Sequence, residues 1–130
     1  MIRMTMATIK SYTDLQQSKK LAKFLPLESA DMYYPWYIEE DRDNIKSGHR
    51  ISIPSVGNFI HKVNILPCWS LTALLNVLPE YNLQRTDWGN KTEYKIVVTT
   101  DEDNYASKNY DNPVDACVAM IEKLNELNLL

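Results

Sequence analysis

Apolar residues recur at helical spacing in the middle of the chain. Four leucines fall at positions i, i+3, i+4 and i+7, the spacing of one helical face: Leu71, Leu74, Leu75 and Leu78. Ser70 comes directly before them and suits an N-cap, because its hydroxyl can accept a hydrogen bond from an N–H of the first turn. Pro79 ends the run. The pattern predicts a helix over residues 71–78.

The same spacing returns in the last twenty residues of the printed sequence. Asn112 suits an N-cap, and Pro113 suits the first helical position, where its missing N–H costs no hydrogen bond. One face of this helix carries a stripe that we expect to be buried: Val114, Cys117, Val118, Ile121 and Leu124.

A third helix is predicted near the start of the chain. Thr13-Asp14-Leu15-Gln16 has the form of a capping box, with Thr13 as the N-cap and Gln16 placed to reach back to it. An apolar side follows at Leu21, Ala22 and Leu25. Pro26 ends the helix.

Alternating patterns predict strands in two regions. Residues 81–88 and 93–100 have the form of a hairpin, and Trp88-Gly89-Asn90-Lys91 fits a two-residue turn with glycine first. In its second strand, Tyr94, Ile96 and Val98 share one face. These patterns, together with the helices, predict an α+β fold. We expect a single domain over residues 11–130, after a flexible extension at 1–10, with an antiparallel sheet of three to five strands and two or three helices mainly on one face.

An aromatic run over residues 32–38 is also prone to form a strand, and Pro35 confines such a strand to a sheet edge. Two interpretations stay open for its rings, Tyr34, Trp36 and Tyr37. They form part of the core, or they form an exposed surface for a partner protein or a second copy of the chain, since tyrosine and tryptophan are enriched at interfaces.

The bulk numbers exclude several classes of function. With 130 residues, 45% hydrophobic and 24% charged, the chain has the composition of a soluble globular domain. Its formal charge of −3 argues against polymeric nucleic acid as a partner, since that requires a clustered basic face. We expect no membrane partner and a cytoplasmic location, because neither a signal-peptide pattern nor a run of ~20 apolar residues is present. Cys68 and Cys117 are expected to be buried, reduced thiols.

Four stretches, about two fifths of the chain, resemble a group of small, uncharacterised proteins encoded by phages, prophages and related mobile elements of gut bacteria. They are residues 12–21 (YTDLQQSKKL), 25–32 (LPLESADM), 67–79 (PCWSLTALLNVLP) and 111–130. The resemblance implies a mobile-element protein that acts in a bacterial cytoplasm. It carries over no functional residue.

Groups that could perform chemistry are few and scattered. His49 and His61 lack the spacing of metal ligands. Cys68 and His61 could form a nucleophile and a base, but no third group is placed to orient them. Glu28 and Asp31 could share a helical face as paired carboxylates, although a solvated turn is the commoner origin of such a pair. No phosphate-binding glycine motif is present. The sequence therefore predicts no catalytic residue, metal or cofactor.

A non-catalytic binding site is a more specific hypothesis than a catalytic site. Trp69 could stack on a planar ligand, while the N–H groups that follow Ser70 accept a phosphate or carboxylate. Further aromatic surface and charge would come from the remaining candidates: Tyr34, Trp36, Tyr37, Arg50, His61 and Lys62. The alternative is that Trp69 is a hydrophobic staple that packs back on the helix.

Together these features predict a non-enzymatic binding protein of phage or mobile-element origin. It would bind a host protein or sequester a small anionic ligand, and so blunt a bacterial defence. The second hypothesis is a small nucleotide-binding or nucleotide-degrading protein that uses Trp69, Ser70 and His61.

Overall fold

We describe the protein from a computed structural model, which describes residues 10–35, 54–56 and 65–130. The helices are α1 (Leu15–Leu21), a short 3-10 helix (Leu27–Ser29), α2 (Leu71–Val77) and α3 (Pro113–Glu126). The strands are β1 (Met32–Pro35), β2 (Ser55–Val56), β3 (Ile65–Cys68), β4 (Tyr81–Asp87), β5 (Thr92–Thr99) and β6 (Asn104–Ala106).

The strands of the described residues form two antiparallel three-stranded sheets, in the orders β2-β1-β3 and β4-β5-β6. The α+β prediction for a single domain is confirmed. The sequence predicts a single sheet, but the strands form two. The reason is that β3 pairs with β1, in the aromatic run, and not with the β4–β5 hairpin.

The position of Pro35 differs from the prediction. β1 is the central strand of its sheet, with β2 on one side and β3 on the other. β2 lies opposite Met32 and Tyr33 alone, whereas β3 continues to Pro35. Within the described residues, Pro35 therefore has a strand on one side only, and a central strand tolerates a proline at such an end.

The β4–β5 hairpin has the predicted turn. The N–H of Trp88 donates to the carbonyl of Lys91 at 2.8 Å, and Asp87 lies opposite Thr92. Gly89 has φ +94°, the left-handed backbone that a glycine-first turn requires. The strands then run within one residue of their predicted bounds.

The core lies around α3, which packs on β5, on α2 and on α1. Asn112 caps α3 by accepting a hydrogen bond from Asp115, and Pro113 begins it, as predicted. All five residues of the predicted stripe are buried, and Ala116 and Met120 are buried as well. The buried face is wider than one stripe because three elements cover the helix. Burial of each large apolar side chain stabilises the fold by about 1.5–3 kcal/mol.

The capping box of α1 lies one residue later than predicted. Asp14 is the N-cap: its carboxylate accepts from the N–H of Gln17 at 2.8 Å, and the Gln17 side chain accepts from the N–H of Asp14 at 3.1 Å. Thr13 is instead fully buried. The ammonium of Lys10, the first described residue, contacts Asp14 at 3.1 Å and Asp115 at 2.8 Å; the rest of the predicted N-terminal extension, residues 1–9, lies outside the described residues.

Candidate functional site

Thr13 is the centre of a buried polar cluster that joins three elements. Its N–H donates to the carbonyl of Trp69 at 2.9 Å, and its hydroxyl accepts from the N–H of Trp69 at 3.1 Å. The same hydroxyl contacts the Ser18 hydroxyl at 2.7 Å and donates to the Cys68 sulfur at 3.6 Å. Buried polar groups must be paired in this way to avoid a desolvation cost. The cluster attaches the start of α1 to the end of β3.

Tyr34 completes the cluster and is not an interface residue. Its side chain is buried, and its hydroxyl donates to the carbonyl of Thr13 at 2.7 Å. Burial raises the pKa of Tyr34, with smaller contributions from Cys68 and other neighbours, so the phenol stays protonated and remains a donor. Of the two interpretations of the aromatic run, the core interpretation describes this residue.

Trp69 is also part of the core. Its exposed fraction is 0%, and it belongs to the same apolar cluster as Leu74, one turn into α2. The indole N–H donates to the Ser29 hydroxyl at 2.9 Å, which in turn donates to the carbonyl of Pro26 at 2.6 Å. A ring with no exposed surface cannot stack on a ligand. The position of Trp69 in the structure therefore agrees with the interpretation of this residue as a hydrophobic staple.

The N-terminus of α2 is already occupied by the protein's own groups. Ser70 is the predicted N-cap and accepts from the N–H of Ala73 at 3.1 Å. The carboxylate of Asp31 accepts from the Ser70 N–H at 2.9 Å and from its hydroxyl at 2.5 Å. The N–H of Leu71 donates to the carbonyl of Ser11 at 3.0 Å. Asp31 thus places a carboxylate beside the first residues of α2, and this negative charge opposes the binding of a second anion there.

The thiol of Cys68 does not have the environment of a nucleophile. It is buried, and its sulfur donates to the carbonyl of Thr13 at 3.5 Å. Burial raises the pKa of Cys68, and burial likewise raises the pKa of Cys117 to about 12. Both therefore remain neutral thiols at physiological pH. Because nucleophilic attack needs the thiolate, neither thiol is activated as a nucleophile. The prediction of buried, reduced thiols is confirmed for their burial and free state.

Five predicted binding residues lie outside the described residues: Trp36, Tyr37, Arg50, His61 and Lys62. Their roles stay predictions. Of the possible carboxylate pair, Asp31 accepts hydrogen bonds from Ser70, and Glu28 lies in the short 3-10 helix. In the part of the chain that the structure describes, no group of three or more His, Cys, Asp or Glu residues could hold a metal ion. Nor does any helix there have the length and apolar character needed to cross a membrane.

A groove forms where the turn after α1 meets the ends of α2 and α3. Its volume is about 620 Å³, and five of its lining residues are apolar: Phe24, Leu25, Pro26, Val77 and Leu130. The other described lining residues are Glu28, Ser29, Asn76 and Asn125, so the one charged side chain among them is negative. The groove is the strongest candidate site that the described residues form.

The end of α3 determines how Leu130 reaches the groove. Asn128 has φ +59°, and its N–H donates to the carbonyl of Asn125 at 3.1 Å. The N–H of Leu129 donates back to the carbonyl of Leu124 at 2.8 Å. This pair of bonds is a Schellman motif, which reverses the chain directly after a helix. The reversal places Leu130, 49% exposed, on the groove lining.

No motif in the sequence predicts this groove, although one signal for it is present. Leu127, Leu129 and Leu130 follow the last helix without its periodicity, and all three are exposed, as is Leu27 in the 3-10 helix. Apolar residues that lie outside a helical stripe have no predicted place in the core. Of these four leucines, Leu130 lies on the groove lining.

Comparison with known proteins adds no relative: no family model, no curated protein and no solved structure matches this chain.

Proposed function

We propose that this chain is a non-enzymatic protein-binding protein, of phage or mobile-element origin, that holds a segment of a host protein in the groove between α1, α2 and α3. It would act in the bacterial cytoplasm and blunt a host defence. The mobile-element origin rests on the sequence resemblance. The observation that supports the binding role is the groove, with its apolar lining and exposed Leu130.

The size of the apolar contribution favours a protein over a small ligand. Complete burial of a leucine is worth about 1.5–3 kcal/mol, and a side chain that is already half covered gains about half of that. Two or three such side chains therefore supply less than the roughly 8 kcal/mol that micromolar binding needs. A protein partner adds contact area around the groove, whereas a small ligand does not.

The charge on the lining indicates the chemistry of the partner. Glu28 is the one charged residue among the described residues that line the groove, and the two asparagines of the lining offer uncharged amides. An anionic ligand such as a nucleotide would find no cationic side chain among these described residues. The groove fits a segment with leucine-like side chains next to a lysine or arginine, which would pair with Glu28.

Leu130→Lys tests this proposal. The added ammonium repels a basic partner and removes apolar surface, and the residue is exposed, so the fold is expected to survive. Val56→Lys is the matched control, because Val56 is 77% exposed and lies on β2, away from the groove lining. Host proteins captured by the unchanged chain would be compared with those captured by each variant.

A host protein that is captured by the unchanged chain and by Val56→Lys, but lost with Leu130→Lys and weakened with Glu28→Lys, is the expected result. Equal capture by all four chains would show that the groove is not the binding surface. Binding of the captured protein would then be measured by calorimetry with purified components, where we expect at least a tenfold weaker affinity for Leu130→Lys.

A further inference from the structure

β4 presents a long edge with no neighbouring strand among the described residues. It is the outer strand of its sheet and pairs with β5 through seven consecutive residues, without proline, glycine or bulge. β6, the opposite edge, has three residues, and the edge strands of the other sheet, β2 and β3, have two and four. Natural sheets protect their edges by shortness, prolines or bulges, because an open edge pairs with other strands. β4 has none of these three protections, and its two charged side chains, Arg85 and Asp87, contact each other at 3.4 Å.

The ladder with β5 determines which backbone groups of β4 point outward. The N–H of Trp88 donates to Lys91, and the N–H of Thr99 donates to Glu80, so the even-numbered residues of β4 exchange hydrogen bonds with β5. The odd-numbered residues direct their N–H and C=O groups away from β5. They are Tyr81, Leu83, Arg85 and Asp87, and their backbone groups have no partner in the described part of the chain.

We propose that this edge binds the same edge of a second copy of the chain, in an antiparallel pairing centred on Gln84. In that register Leu83 lies opposite Arg85 of the second copy, and Tyr81 lies opposite Asp87. All four outward-facing residues of each β4 then find partners, and the two strands exchange eight backbone hydrogen bonds. A shift by two residues in either direction leaves some of these groups unpaired.

The charges on β4 suit this register. Arg85 and Asp87 contact each other within one strand at 3.4 Å, so the edge carries no net charge. Pairing centred on Gln84 places no like charges opposite each other, whereas a register centred on Arg85 would oppose two arginines, which is destabilising. The uncharged pairs Asn82–Thr86 and Gln84–Gln84 fill the other face.

The resulting dimer has one continuous six-stranded sheet, β6-β5-β4 followed by β4-β5-β6 of the second copy. Its two-fold axis runs perpendicular to the sheet, because antiparallel edges meet only about such an axis. The two α3 helices therefore lie on the same side, and each copy keeps its own groove. The dimer is independent of the proposed function, because it uses none of the groove residues.

A pair of charge variants tests the register. In Asn82→Lys with Thr86→Lys, two lysine pairs face each other across the proposed interface; in Asn82→Glu with Thr86→Lys, the same positions carry opposite charges. Both sites are exposed, and the two variants differ at residue 82 alone. Sedimentation equilibrium should give twice the chain mass of 15.1 kDa for the unchanged protein and the mixed-charge variant, and the single mass for the double-lysine variant. A single mass for the unchanged protein at every concentration, or a dimer for the double-lysine variant, overturns the proposal.

Disulfide cross-linking gives a second test that does not depend on altered charge. Residues at a non-hydrogen-bonded antiparallel pair lie close enough for a disulfide, so Gln84→Cys should cross-link two copies under mild oxidation. Thr86→Cys is the control, because Thr86 faces Asn82 of the second copy and not itself. The native thiols are buried and do not compete. Equal cross-linking of both variants, or none in either, contradicts the pairing.

Discussion

The carboxylate of Asp31 accepts hydrogen bonds from both the N–H and the hydroxyl of Ser70, at 2.9 and 2.5 Å. The two residues are 39 positions apart in the chain, so this contact attaches the segment before β1 to the start of α2. It also places a negative charge at the positive end of a helix, where it is favourable. The same charge opposes the binding of an anionic ligand at this helix start.

Asp31→Ala removes both hydrogen bonds and leaves the Ser70 N–H with water as its partner. Hydrogen bonds to a charged group contribute about 1.5–3 kcal/mol when paired well, and exposure reduces this, so we expect a loss of about 1–2 kcal/mol in the free energy of unfolding. Urea denaturation measures it. Glu28→Ala is the control, since Glu28 has no hydrogen bond in the described part of the chain, and it should change stability by less than about 0.5 kcal/mol.

Thr13→Val keeps the shape of the side chain but removes its hydroxyl. The Trp69 N–H and the Ser18 hydroxyl then lose a buried partner. An unsatisfied buried donor costs about 1–3 kcal/mol, so we expect a loss of that size. Thr72→Val, at an exposed position of α2, makes the same chemical change outside the cluster. Equal destabilisation by the two variants in thermal unfolding would show that the buried cluster has no special role.

Asp115 links α3 to the start of the chain in a pH-dependent way. It accepts from Lys10 at 2.8 Å and from the Gln17 amide at 2.7 Å, and Asn112 donates to its other oxygen at 2.8 Å. Burial raises the pKa of Asp115, but the hydrogen bonds from Lys10, Asn112 and Gln17 outweigh it, and the pKa is lowered from its ordinary value of 3.8.

Because the folded-state pKa lies below the unfolded-state value, the ionised carboxylate stabilises the fold above pH 3.8, and this contribution is lost as the pH falls through the folded-state pKa. The stability difference between the unchanged protein and Asp115→Asn should therefore be about 1–2 kcal/mol at neutral pH and shrink in strong acid. Urea denaturation across this pH range measures it. Asp101→Asn, at an exposed position, is the control and should change the stability at neutral pH by less than about 0.5 kcal/mol.

Asn128 supports the groove through its left-handed backbone. Asn128→Gly relieves any strain at φ +59° and should leave stability unchanged or slightly raised. Asn128→Val places a β-branched residue at that backbone and should cost about 1–2 kcal/mol. The same variant should weaken capture of the partner, since the Schellman motif directs Leu130 to the groove. Unchanged partner binding by Asn128→Val would show that the proposed function does not depend on the Schellman motif.

Helix positions followed from the sequence because each depends on local spacing and on a cap. Asn112 with Pro113 and Ser70 with its leucines marked two helix starts correctly. At α1, two adjacent residues could both serve as N-cap, and the choice depends on a distant contact. The hydroxyl of Thr13 accepts a hydrogen bond from the N–H of Trp69, and Asp14 therefore serves as the N-cap. Local pattern cannot show which of two neighbours a residue 56 positions away will bind.

The candidate site was predicted less well for the same reason. An aromatic residue before a helix is equally suited to a ligand and to a core, and only the packing of Ser29 and Leu74 around Trp69 decides between them. The groove is difficult to predict for a different reason. It is formed by ends of three helical segments that are far apart in the chain, so no motif marks it.

The Gly89 hairpin has a consequence for the order of folding. Its two strands are joined by a two-residue turn, so they pair across a very short loop, and hairpins of this kind form in about 1–10 μs. The contacts of Thr13 with Trp69 must instead close a loop of more than fifty residues, which costs more entropy before it gains any bond. We therefore expect the hairpin and α3 to collapse first, and the segment that carries Thr13 to join last.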